Sequence, residues 1–541
     1  MAFALSTGER MASESFPPVD FSTAFELRDR RFASMPRHQT IPDIVAANRR
    51  SYGSYDAVLF QGSRYSNEVL FERSWRLAQR WHAAGVEKGD RIVVNLLNCP
   101  DIWICYLACS ALGAVIVPTV PALTVHELGF MVSDCQPAVI VTSREKAEHF
   151  RAHHADFPSI KLVISGGKEE TELRTAIDTS EPYDGSVNTQ PDDLAAIIYT
   201  SGTTGKPKGV MLSQQSLCRQ ACLNHGFYVG PGEDSRIATL LMPLPMCHIF
   251  GLAVALTSLL MGNLMVVMER FDPAVALSLV REHRIRIVPA VPTMLVRLLA
   301  NEGAASTCGS VVQWDCGGSA LAVDLLEQVE RTLGGLVTEG WGLSEASSAV
   351  VQNVPGVPRK PGSVGLVLPG LELAVRTLDG RDCRPEEQGE LLVRGETVMR
   401  GYWNRPEATA KALDAGGFLH TGDIGLVDDD GYCFIIGRVD DLIIRGGQNI
   451  SPRELEETIQ EHPAVREVAV VGLPDPELGA IAAAFVVPNR GTSLDGPAII
   501  EFCRSRLARH KVPARVITVD QLPYNSTGKV MKSELRRISE T

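Results

Sequence analysis

The sequence predicts an α/β protein that ends in a small α+β domain. Three observations lead to this fold class. The chain has 541 residues, 45% of them hydrophobic and 21% charged, which is ample for several packed subdomains. Apolar strands alternate with amphipathic helices along its first part, an order typical of parallel sheets covered by helices. The final stretch of about one hundred residues has strands and helices of its own, and its size is typical of an independent domain.

The N-terminal elements follow an irregular arm that we predict for residues 1–40. Residues 166–191 are polar and rich in turn residues, so we expect a loop there. An apolar strand at 194–198 leads out of this loop. Between the arm and the loop, hydrophobic periodicity predicts helices at 41–49, 66–84 and 102–112, a hairpin at 57–60 and 64–65, and strands at 91–96, 114–117, 138–142 and 162–165.

The strand at 194–198 leads into a stretch, residues 199–209, that reads Tyr-Thr-Ser-Gly-Thr-Thr-Gly-Lys-Pro-Lys-Gly. Its glycines permit tight turns and a close approach to a ligand. Backbone N–H groups, hydroxyls and ammonium groups together form a concave surface of donors suited to phosphate. The stretch is not a Walker A loop, because Lys206 is followed by Pro207 rather than by Ser or Thr. The candidate phosphate ligands are Thr200, Ser201, Gly202, Thr203, Thr204 and Lys208.

Two downstream motifs suggest where a substrate lies. Two prolines stiffen the approach to His248, which begins an apolar helix and is followed by Phe250. Taken alone, such a histidine is typical of a hydrogen-bonded core residue. The strand-to-loop passage at 312–319 contains Gly317 and Gly318. Adjacent glycines allow a flat ligand to lie against the backbone, because no side chain intervenes.

Residues 340–345, Gly-Trp-Gly-Leu-Ser-Glu, place an aromatic ring between glycines and then a hydroxyl and a carboxylate. Trp341 can stack on a purine, and Glu345 can hold Mg²⁺, a hard cation that prefers oxygen. Further along, a Thr-Gly turn presents Asp423, whose carboxylate can accept hydrogen bonds from two ribose hydroxyls. Taken singly, the tryptophan is typical of a core residue and the carboxylates of turns and solvated surfaces.

The small C-terminal domain is predicted to begin at residue 437. Ser451 and Pro452 form a typical helix start, with a capping hydroxyl and a proline at the first position. The chain closes with residues 522–532, in which Lys529 follows a Ser-Thr-Gly turn. A lone lysine there is typical of a solvated surface. The elements predicted between these points are helices at 453–460 and 496–507 and strands at 465–472, 482–487 and 514–519.

Together these motifs resemble those of the AMP-forming adenylating superfamily, which includes acyl- and aryl-CoA ligases, the adenylation domains of peptide synthetases, and luciferases. The segment 437–456 especially resembles that of bacterial aryl-CoA ligases, and the chain as a whole most resembles bacterial acyl- or aryl-CoA ligases. The resemblance implies a large N-terminal domain of stacked α/β subdomains at 1–436 and a mobile C-terminal lid at 437–541. It also implies that a carboxylate attacks the α-phosphorus of MgATP, giving acyl-adenylate and pyrophosphate, and that a thiol then displaces AMP.

The resemblance also implies roles for the matched residues. Lys529 reaches the carboxylate and the α-phosphate, His248 orients the acid, and Glu345 binds magnesium. Asp440 is the hinge about which the lid rotates. Many relatives have Tyr and Thr where this chain has Trp341 and Ser344, and both changes keep the chemistry. Besides the loop at 199–209, the implied nucleotide- and CoA-binding residues are Gly318, Gly340, Trp341, Gly342, Ser344, Asp423, Arg438, Gly446 and Gly447.

The acid is expected to be aryl, alicyclic or medium-chain. Amino-acid-activating relatives carry an aspartate just after this histidine to bind the ammonium group, whereas residues 249–253 contain no carboxylate. The acceptor stays open between CoA and the phosphopantetheine of an acyl carrier protein. A luciferase-like oxygenase or a nucleotide-binding protein without turnover is a third alternative, against which the intact motifs argue. The implied lining of the acid site, mainly apolar, consists of His248, Phe250, Val291, Gly318 and Leu343.

The composition of the chain limits which partners and which cellular location we expect for it. A formal net charge of −12 argues against a nucleic-acid partner, which requires a basic face. The most apolar stretch, 252–268, is short and interrupted, so we expect buried core rather than a membrane span. The 12 scattered cysteines form no CxxC motif, and without an N-terminal signal pattern they indicate reduced thiols in the cytoplasm. We expect a monomer or homodimer that uses ATP, Mg²⁺ and CoA or a carrier protein.

Overall fold

The computed structural model describes residues 21–33, 35–167, 172–185, 189–200, 207–228, 238–445, 448–489, 491–492, 494–524 and 530–539. The helices are Ala24–Phe32 (α1), Ile41–Tyr52 (α2), Asn67–Ala83 (α3), Pro100–Leu112 (α4), Val125–Cys135 (α5), Arg144–Ala152 (α6), Glu172–Asp178 (α7), Gln214–Tyr228 (α8), Ile249–Met261 (α9), Pro273–His283 (α10), Pro292–Leu299 (α11), Ala304–Thr307 (α12), Val323–Leu333 (α13), Pro406–Ala412 (α14), Pro452–Gln460 (α15), Gly496–Arg504 (α16) and Lys532–Ile538 (α17).

The strands are Asp56–Phe60 (β1), Ser63–Ser66 (β2), Arg91–Val94 (β3), Val115–Pro118 (β4), Val139–Thr142 (β5), Leu162–Ser165 (β6), Leu194–Thr200 (β7), Lys208–Ser213 (β8), Thr239–Met242 (β9), Leu264–Val267 (β10), Ile287–Ala290 (β11), Gln313–Cys316 (β12), Leu336–Leu343 (β13), Ser348–Gln352 (β14), Leu366–Val367 (β15), Leu371–Arg376 (β16), Gly389–Gly395 (β17), Gly401–Tyr402 (β18), Leu419–Val427 (β19), Cys433–Arg438 (β20), Ile443–Arg445 (β21), Gln448–Ile450 (β22), Val465–Asp475 (β23), Gly479–Pro488 (β24) and Arg515–Thr518 (β25).

Among the described residues, these strands form four sheets. The largest has nine strands in the order β15-β14-β13-β12-β11-β9-β10-β1-β2, and a second has seven in the order β18-β8-β7-β4-β3-β5-β6. The nine-stranded sheet is parallel through its centre and antiparallel at both edges. The seven-stranded sheet is parallel from β7 to β6 and antiparallel at the edge formed by β8 and β18. An antiparallel sheet of β16, β17, β19 and β20 follows, and β21 to β25 form the sheet of the C-terminal part. The predicted α/β fold class, with a small α+β unit at the end, is confirmed.

One continuous core joins the two large sheets through α4 and α9. Every residue of α4 is buried, and so is every residue of α9 except Phe250. Side chains of both helices share a single apolar cluster with residues of β1, β7 and β10. The apolar stretch 252–268 therefore forms core, as predicted, and divides into α9 and β10. No helix within the described ranges has both the length and the apolarity needed to cross a bilayer.

Two predictions of irregular structure are wrong. The N-terminal arm contains α1, whose sequence is mostly charged and which buries only Ala24 and Phe32. The polar segment 166–191 contains α7, in which Leu173 and Ile177, one turn apart, are both buried. In each case the helix buries only two residues in an otherwise polar sequence. The hydrophobic periodicity is therefore too weak to predict a helix. The predicted hairpin and the predicted helices and strands of the first 200 residues are otherwise present.

The C-terminal elements match the prediction in order and type, from α15 through β25. One detail differs at the start of α15. Pro452 occupies the first helical turn as expected, but Ser451 makes no capping hydrogen bond. Its hydroxyl donates instead to the backbone oxygen of Ile436 at 2.8 Å, which ties α15 to β20. The division of the chain after residue 436 stays a prediction.

The hairpin of β13 and β14 leaves no room for side chains at two of its glycines. A Cβ on Gly342 would lie 1.8 Å from the carbonyl oxygen of Ser348, and one on Gly340 would lie 1.9 Å from Gln352 Oε1. The carbonyl oxygen of Ser348 belongs to the backbone, so no side-chain rotation can move it aside. The glycines around Trp341 are therefore required by the close approach of β14.

We predict that Gly342→Ala lowers the thermal unfolding midpoint by roughly 5 °C or more, because overpacking of this kind costs about 3 kcal/mol. The matched control is Gly309→Ala, since a Cβ there meets nothing within 4 Å and the φ angle is ordinary. Thermal melts of both variants and the wild type give the comparison. Equal midpoints for the two variants would contradict the packing described for this hairpin.

Candidate active site

Trp341, Asp423 and Arg438 meet where two sheets adjoin. Trp341 lies on β13, whereas Asp423 and Arg438 are cross-strand partners on β19 and β20. The indole Nε1 donates to Asp423 Oδ2 at 3.2 Å, and Arg438 Nη1 lies 3.1 Å from Asp423 Oδ1. The Asp423 side chain is 10% exposed. A carboxylate this buried requires partners, and here a neutral donor and a cation hold one oxygen each.

The backbone that presents Asp423 is fixed locally. Its N–H donates to Thr421 Oγ1 at 3.1 Å, and the Thr421 hydroxyl donates to the carbonyl oxygen of Leu391 at 2.7 Å. Between them, Gly422 has φ +69° and donates its N–H to Glu390 Oε1 at 3.0 Å. A positive φ suits glycine, which explains the Thr-Gly-Asp order of the motif.

Glu345 follows β13 in the turn Ser344–Ala346 and lies beside Tyr402. The Tyr402 hydroxyl donates to Glu345 Oε1 at 2.9 Å. The ammonium group of Lys208 lies 5.2 Å from the centroid of the Tyr402 ring, within the range of a cation–π contact. Lys208 is in turn the cross-strand partner of Thr200, so the two ends of the stretch 199–209 are paired.

The backbone just after Glu345 is strained. Ser347 and Ser348 have φ angles of 60° and 120°, which are uncommon for residues other than glycine. Strain of this kind persists only where surrounding contacts fix it. The Ser347 hydroxyl donates to the carbonyl oxygen of Thr397 at 2.7 Å, and Met399 donates its N–H to the carbonyl oxygen of Glu345 at 2.8 Å. Segment 397–402 thus clamps the turn that carries Glu345.

Asp134, at the end of α5, anchors the entrance to the stretch 199–209. Its carboxylate accepts from the Tyr199 hydroxyl at 2.7 Å and from the Arg405 guanidinium at 2.7 Å. Its carbonyl oxygen accepts from the Trp403 indole at 3.1 Å. Sequence reasoning missed Asp134, Tyr402, Trp403 and Arg405. A Gly-Tyr-Trp run after a strand was visible, but no local signal marks Asp134, which is distant in the chain.

The predicted apolar residues gather at the glycine pair after β12. A Cβ on Gly317 would lie 3.5 Å from the Phe250 ring and 3.6 Å from the carbonyl oxygen of Gly340. A Cβ on Gly318 would lie 3.5 Å from Val291 Cγ1. The apolar side chains therefore contact the same backbone that leads to Trp341. Among the described residues, the structure thus places Phe250, Val291 and Gly318, which are predicted to bind the acid, near Gly340, which is predicted to bind the nucleotide.

His248 precedes α9, and side chains of the α4 region fix its loop. Asn98 donates to the carbonyl oxygen of Leu244 at 2.7 Å and accepts from the N–H of Met246 at 2.8 Å. The Tyr106 hydroxyl donates to the carbonyl oxygen of Met246 at 2.8 Å. The segment before His248 is thus held from the far side of the core. Sequence reasoning missed Asn98 and Tyr106, because their contacts are long-range.

Two buried carboxyl groups, Asp315 on β12 and Glu339 on β13, each lie shortly before a glycine that lines the candidate site. Asp315 accepts from the Tyr228 hydroxyl at 2.5 Å and from Gln352 Nε2 at 3.1 Å. Glu339 accepts from the N–H of Leu321 at 3.2 Å. Burial raises the pKa of Asp315 to about 6 and the pKa of Glu339 to about 7, although hydrogen bonds oppose the shift.

The remaining predicted residues fall into two groups. Asp440 is exposed in the turn Val439–Asp441, beside Arg438. Gly340, Gly342 and Leu343 lie with Trp341 on β13, and Ser344 starts the turn that follows. The predictions for Ser201, Gly202, Thr203, Thr204, Gly446, Gly447 and Lys529 fall outside the described residues.

The described ranges contain no cluster of three or more His, Cys, Asp or Glu that could enclose a metal ion. Mg²⁺ does not need such a cluster. It commonly takes one or two carboxylates and completes its oxygen shell with substrate phosphates and water. Glu345, a carboxylate beside the ends of the stretch 199–209, fits that arrangement.

Glu339 gives a test of the burial described for this strand. Its pKa is raised from 4.5 to about 7, so the folded state binds the proton more tightly than the unfolded state. Stability contributed by the proton is therefore lost as pH rises from about 4.5 to 7. We predict that Glu339→Gln is more stable than the wild type at pH 8, by on the order of 2 kcal/mol, and that the difference largely vanishes near pH 5.

The matched control for this prediction is Glu302→Gln, which changes an exposed carboxyl group. It should follow the wild type at both pH values. Chemical denaturation at pH 5 and pH 8 measures the three proteins. If Glu339→Gln gains no stability relative to the wild type on going to pH 8, Glu339 is ionised at little cost and the burial argument is wrong.

Two family models match the chain. The model for AMP-binding enzymes covers residues 45–403, and the model for the C-terminal domain of AMP-binding enzymes covers residues 454–529. The first match alone spans more than half of the 541 residues. Together the two models include the stretch 199–209, Glu345 and Lys529, whereas Asp423 and Arg438 lie between them.

Several characterised proteins are similar over most of their length. A long-chain-fatty-acid–CoA ligase of Bacillus subtilis (strain 168) is 32% identical, over 92% of this chain and 94% of its own. A feruloyl-CoA synthase of an Amycolatopsis species is 36% identical, over 89% of this chain and 95% of its own. A 2-succinylbenzoate–CoA ligase of a Geobacillus strain is 32% identical over 87% and 91%.

Solved structures agree with these relatives. ATP-bound MatB from Rhodopseudomonas palustris superimposes with a TM-score of 0.86 at 30% identity, over 92% of this chain and 99% of that one. The o-succinylbenzoate CoA synthetase of Bacillus subtilis, in complex with its acyl-adenylate intermediate, gives 0.80 at 29% identity, over 91% and 97%. The chain therefore belongs to the AMP-binding enzyme family, and the prediction that it is an AMP-forming acid–thiol ligase is confirmed.

Proposed function

We propose that this ligase activates an apolar carboxylic acid with MgATP and transfers the acyl group to CoA. The observation that carries the proposal is the contact between the two halves of the site. Gly317 adjoins both the Phe250 ring and the carbonyl oxygen of Gly340, the residue before Trp341. An acid lying against Phe250 would thus have its carboxylate next to a nucleotide held by Trp341 and Asp423.

The nucleotide is proposed to lie along β13 and β19. Asp423 would accept hydrogen bonds from the two ribose hydroxyls, since each carboxylate oxygen can accept more than one donor. Trp341 would bound the adenine, and its N–H bond to Asp423 would keep that carboxylate oriented. Arg438, half-exposed at the end of β20, would reach the ribose or the phosphates. The stretch 199–209, which begins and ends at the paired Thr200 and Lys208, would hold the β- and γ-phosphates.

In the first half-reaction an oxygen of the acid would attack the α-phosphorus in line as the bond to pyrophosphate breaks. Such a reaction mainly needs positioning and neutralisation of charge. Lys529 would supply one positive charge at the carboxylate and the α-phosphate, and His248 would orient the acid. Mg²⁺, when bound to Glu345 and the phosphates, neutralises further charge.

In the second half-reaction the thiol sulfur would attack the acyl carbon and AMP would leave. Lys529 must then withdraw, so we propose that the C-terminal part rotates about Asp440. The turn Val439–Asp441 suits a hinge, because Asp440 is exposed and the turn joins two strands of different sheets. Gly446 and Gly447 are proposed to line the thiol channel, because glycines have no side chain that would block a narrow passage.

The acid is proposed to be aryl, alicyclic or medium-chain. Phe250 and Val291 supply apolar surface at the glycine pair 317–318. The similar proteins include ligases named for fatty acids, ferulate and succinylbenzoate. Those names also favour CoA over a carrier protein as acceptor. We propose a cytoplasmic monomer or homodimer.

The function is tested by pyrophosphate release with a panel of aryl, alicyclic, fatty and amino acids, with and without CoA, and with products identified by mass. We expect one apolar class to give its acyl-CoA and AMP. Acyl-adenylate without any CoA thioester would move the acceptor to a carrier protein. Faster turnover of α-amino acids than of every apolar acid would overturn the substrate proposal.

We predict that Lys529→Ala slows acyl-adenylate formation by about 100-fold, because one charge at the transition state is lost. Thioester formation from supplied acyl-adenylate and CoA should stay near the wild-type rate. The matched control in the same segment is Lys532→Ala, since Lys532 pairs with Glu456 at 2.9 Å and has no proposed catalytic part. Full adenylation by Lys529→Ala would remove that lysine from the mechanism.

A further inference from the structure

We infer that Tyr402 is a positioning residue, which orients Glu345 for the magnesium–nucleotide complex and holds Lys208 beside it. The inference rests on the proposed function. Tyr402 lies in a Gly-Tyr-Trp run, for which the sequence alone predicts no role in the site. Its side chain nevertheless contacts two residues that the proposal places around the phosphates.

The contacts of Tyr402 are specific at both ends of its side chain. The hydroxyl donates to Glu345 Oε1 at 2.9 Å, and the ring face receives the Lys208 ammonium group at 5.2 Å from its centroid. One rigid side chain therefore sets the separation between a carboxylate and a cation. A flexible residue in its place would hold neither.

The backbone of Tyr402 is itself fixed to the strand that leaves the stretch 199–209. Tyr402 is the cross-strand partner of Val210, and Gly401 is the partner of Met211. The Tyr402 N–H donates to Thr409 Oγ1 at 2.9 Å. Gly401 has φ +132°, and a Cβ there would lie 2.6 Å from Thr409 Cγ2. The glycine before Tyr402 is thus required for this close packing, which fixes where the phenol points.

The residues just before β18 provide a second connection to the backbone of Glu345. Met399 donates its N–H to the carbonyl oxygen of Glu345 at 2.8 Å, and Arg400 donates its N–H to the carbonyl oxygen of Met211 at 2.9 Å. The backbone and the side chain of segment 397–402 therefore locate Glu345 independently. The turn that carries Glu345 and strand β8 are therefore both tied to the segment that contains Tyr402.

The hydrogen-bonding chemistry of the Tyr402 hydroxyl is consistent with a positioning role. A tyrosine hydroxyl has one proton, and next to a carboxylate it must donate it. The bond occupies one acceptor position of Glu345 Oε1 and leaves other lone pairs of the carboxylate for a cation. Groups that orient a metal ligand in this way typically contribute about 10- to 100-fold to metal affinity or activity.

The test compares Tyr402→Phe with the wild type in two measurements. The first is calorimetric binding of α,β-methylene ATP, which cannot be cleaved at the α-phosphate, with and without Mg²⁺. We expect the variant to bind about tenfold more weakly with Mg²⁺ and to match the wild type within about twofold without it. The second is kinetic. Adenylation should slow by about tenfold or more, whereas thioester formation from supplied acyl-adenylate should not change.

Two further variants separate positioning from a general loss of structure. Tyr432→Phe removes another buried tyrosine hydroxyl, which donates to the carbonyl oxygen of Pro358, and should behave as the wild type in both measurements. In a Glu345→Ala background, Tyr402→Phe should add less than about a twofold loss, because the two residues act through one contact.

A Tyr402→Phe variant with the magnesium dependence of the wild type would overturn the inference and leave the proposed function standing. A full additional loss in the Glu345→Ala background would also overturn it, since Tyr402 would then act independently of Glu345. If the wild type neither binds the magnesium–nucleotide complex nor forms acyl-adenylate, the proposed function itself fails.

Discussion

The structure depends first on a buried carboxylate that must be paired. Asp423 lies on the small antiparallel sheet, and its partners come from two directions: the indole of Trp341 on the nine-stranded sheet and the guanidinium of Arg438 on the next strand. A carboxylate in this environment loses much of its hydration, and its partners must restore that stabilisation. The pairing therefore fixes how two sheets meet, and it places Arg438 two residues before the proposed hinge at Asp440.

The second constraint is steric. The hairpin of β13 and β14 approaches so closely that side chains are excluded at Gly340 and Gly342, and the turn that follows contains strained serines at 347 and 348. Trp341 and Glu345 lie on this compressed segment. Their positions are thus set by backbone packing rather than by flexible loops, which suits a reaction that depends on alignment. Phe250 and Val291, which are proposed to bind the acid, lie against the glycine pair 317–318.

Local patterns in the sequence predict most of the fold. The alternation of strands and helices between residues 41 and 200 is present, and so is the order of the C-terminal elements. The exceptions are α1 and α7, which lie in segments predicted to be irregular. Each of these helices buries only two apolar residues in an otherwise polar sequence. Ser451 shows a different limit, because a tertiary acceptor at Ile436 competes for the hydroxyl that a local rule assigns to the helix.

The residues of the candidate site also fall into two groups, those that the sequence marks and those that it does not. Residues in contiguous motifs, such as Trp341, Glu345 and Asp423, are marked by their neighbours in the chain. Residues that hold them in place are not. Asp134 reaches Tyr199 and Arg405 from a helix that carries no motif, and Asn98 reaches the His248 loop across the core. Such contacts join positions far apart in sequence, so only the folded structure reveals them.

In the proposed mechanism the carboxylate of the acid attacks the α-phosphorus of ATP. The most direct test uses an acid whose carboxylate carries ¹⁸O, with ATP, Mg²⁺ and CoA, and locates the label in the products by mass. We expect one ¹⁸O in AMP, because thiol attack breaks the bond between the acyl carbon and the bridging oxygen. Unlabelled AMP, or label in inorganic phosphate released with ADP, would contradict it.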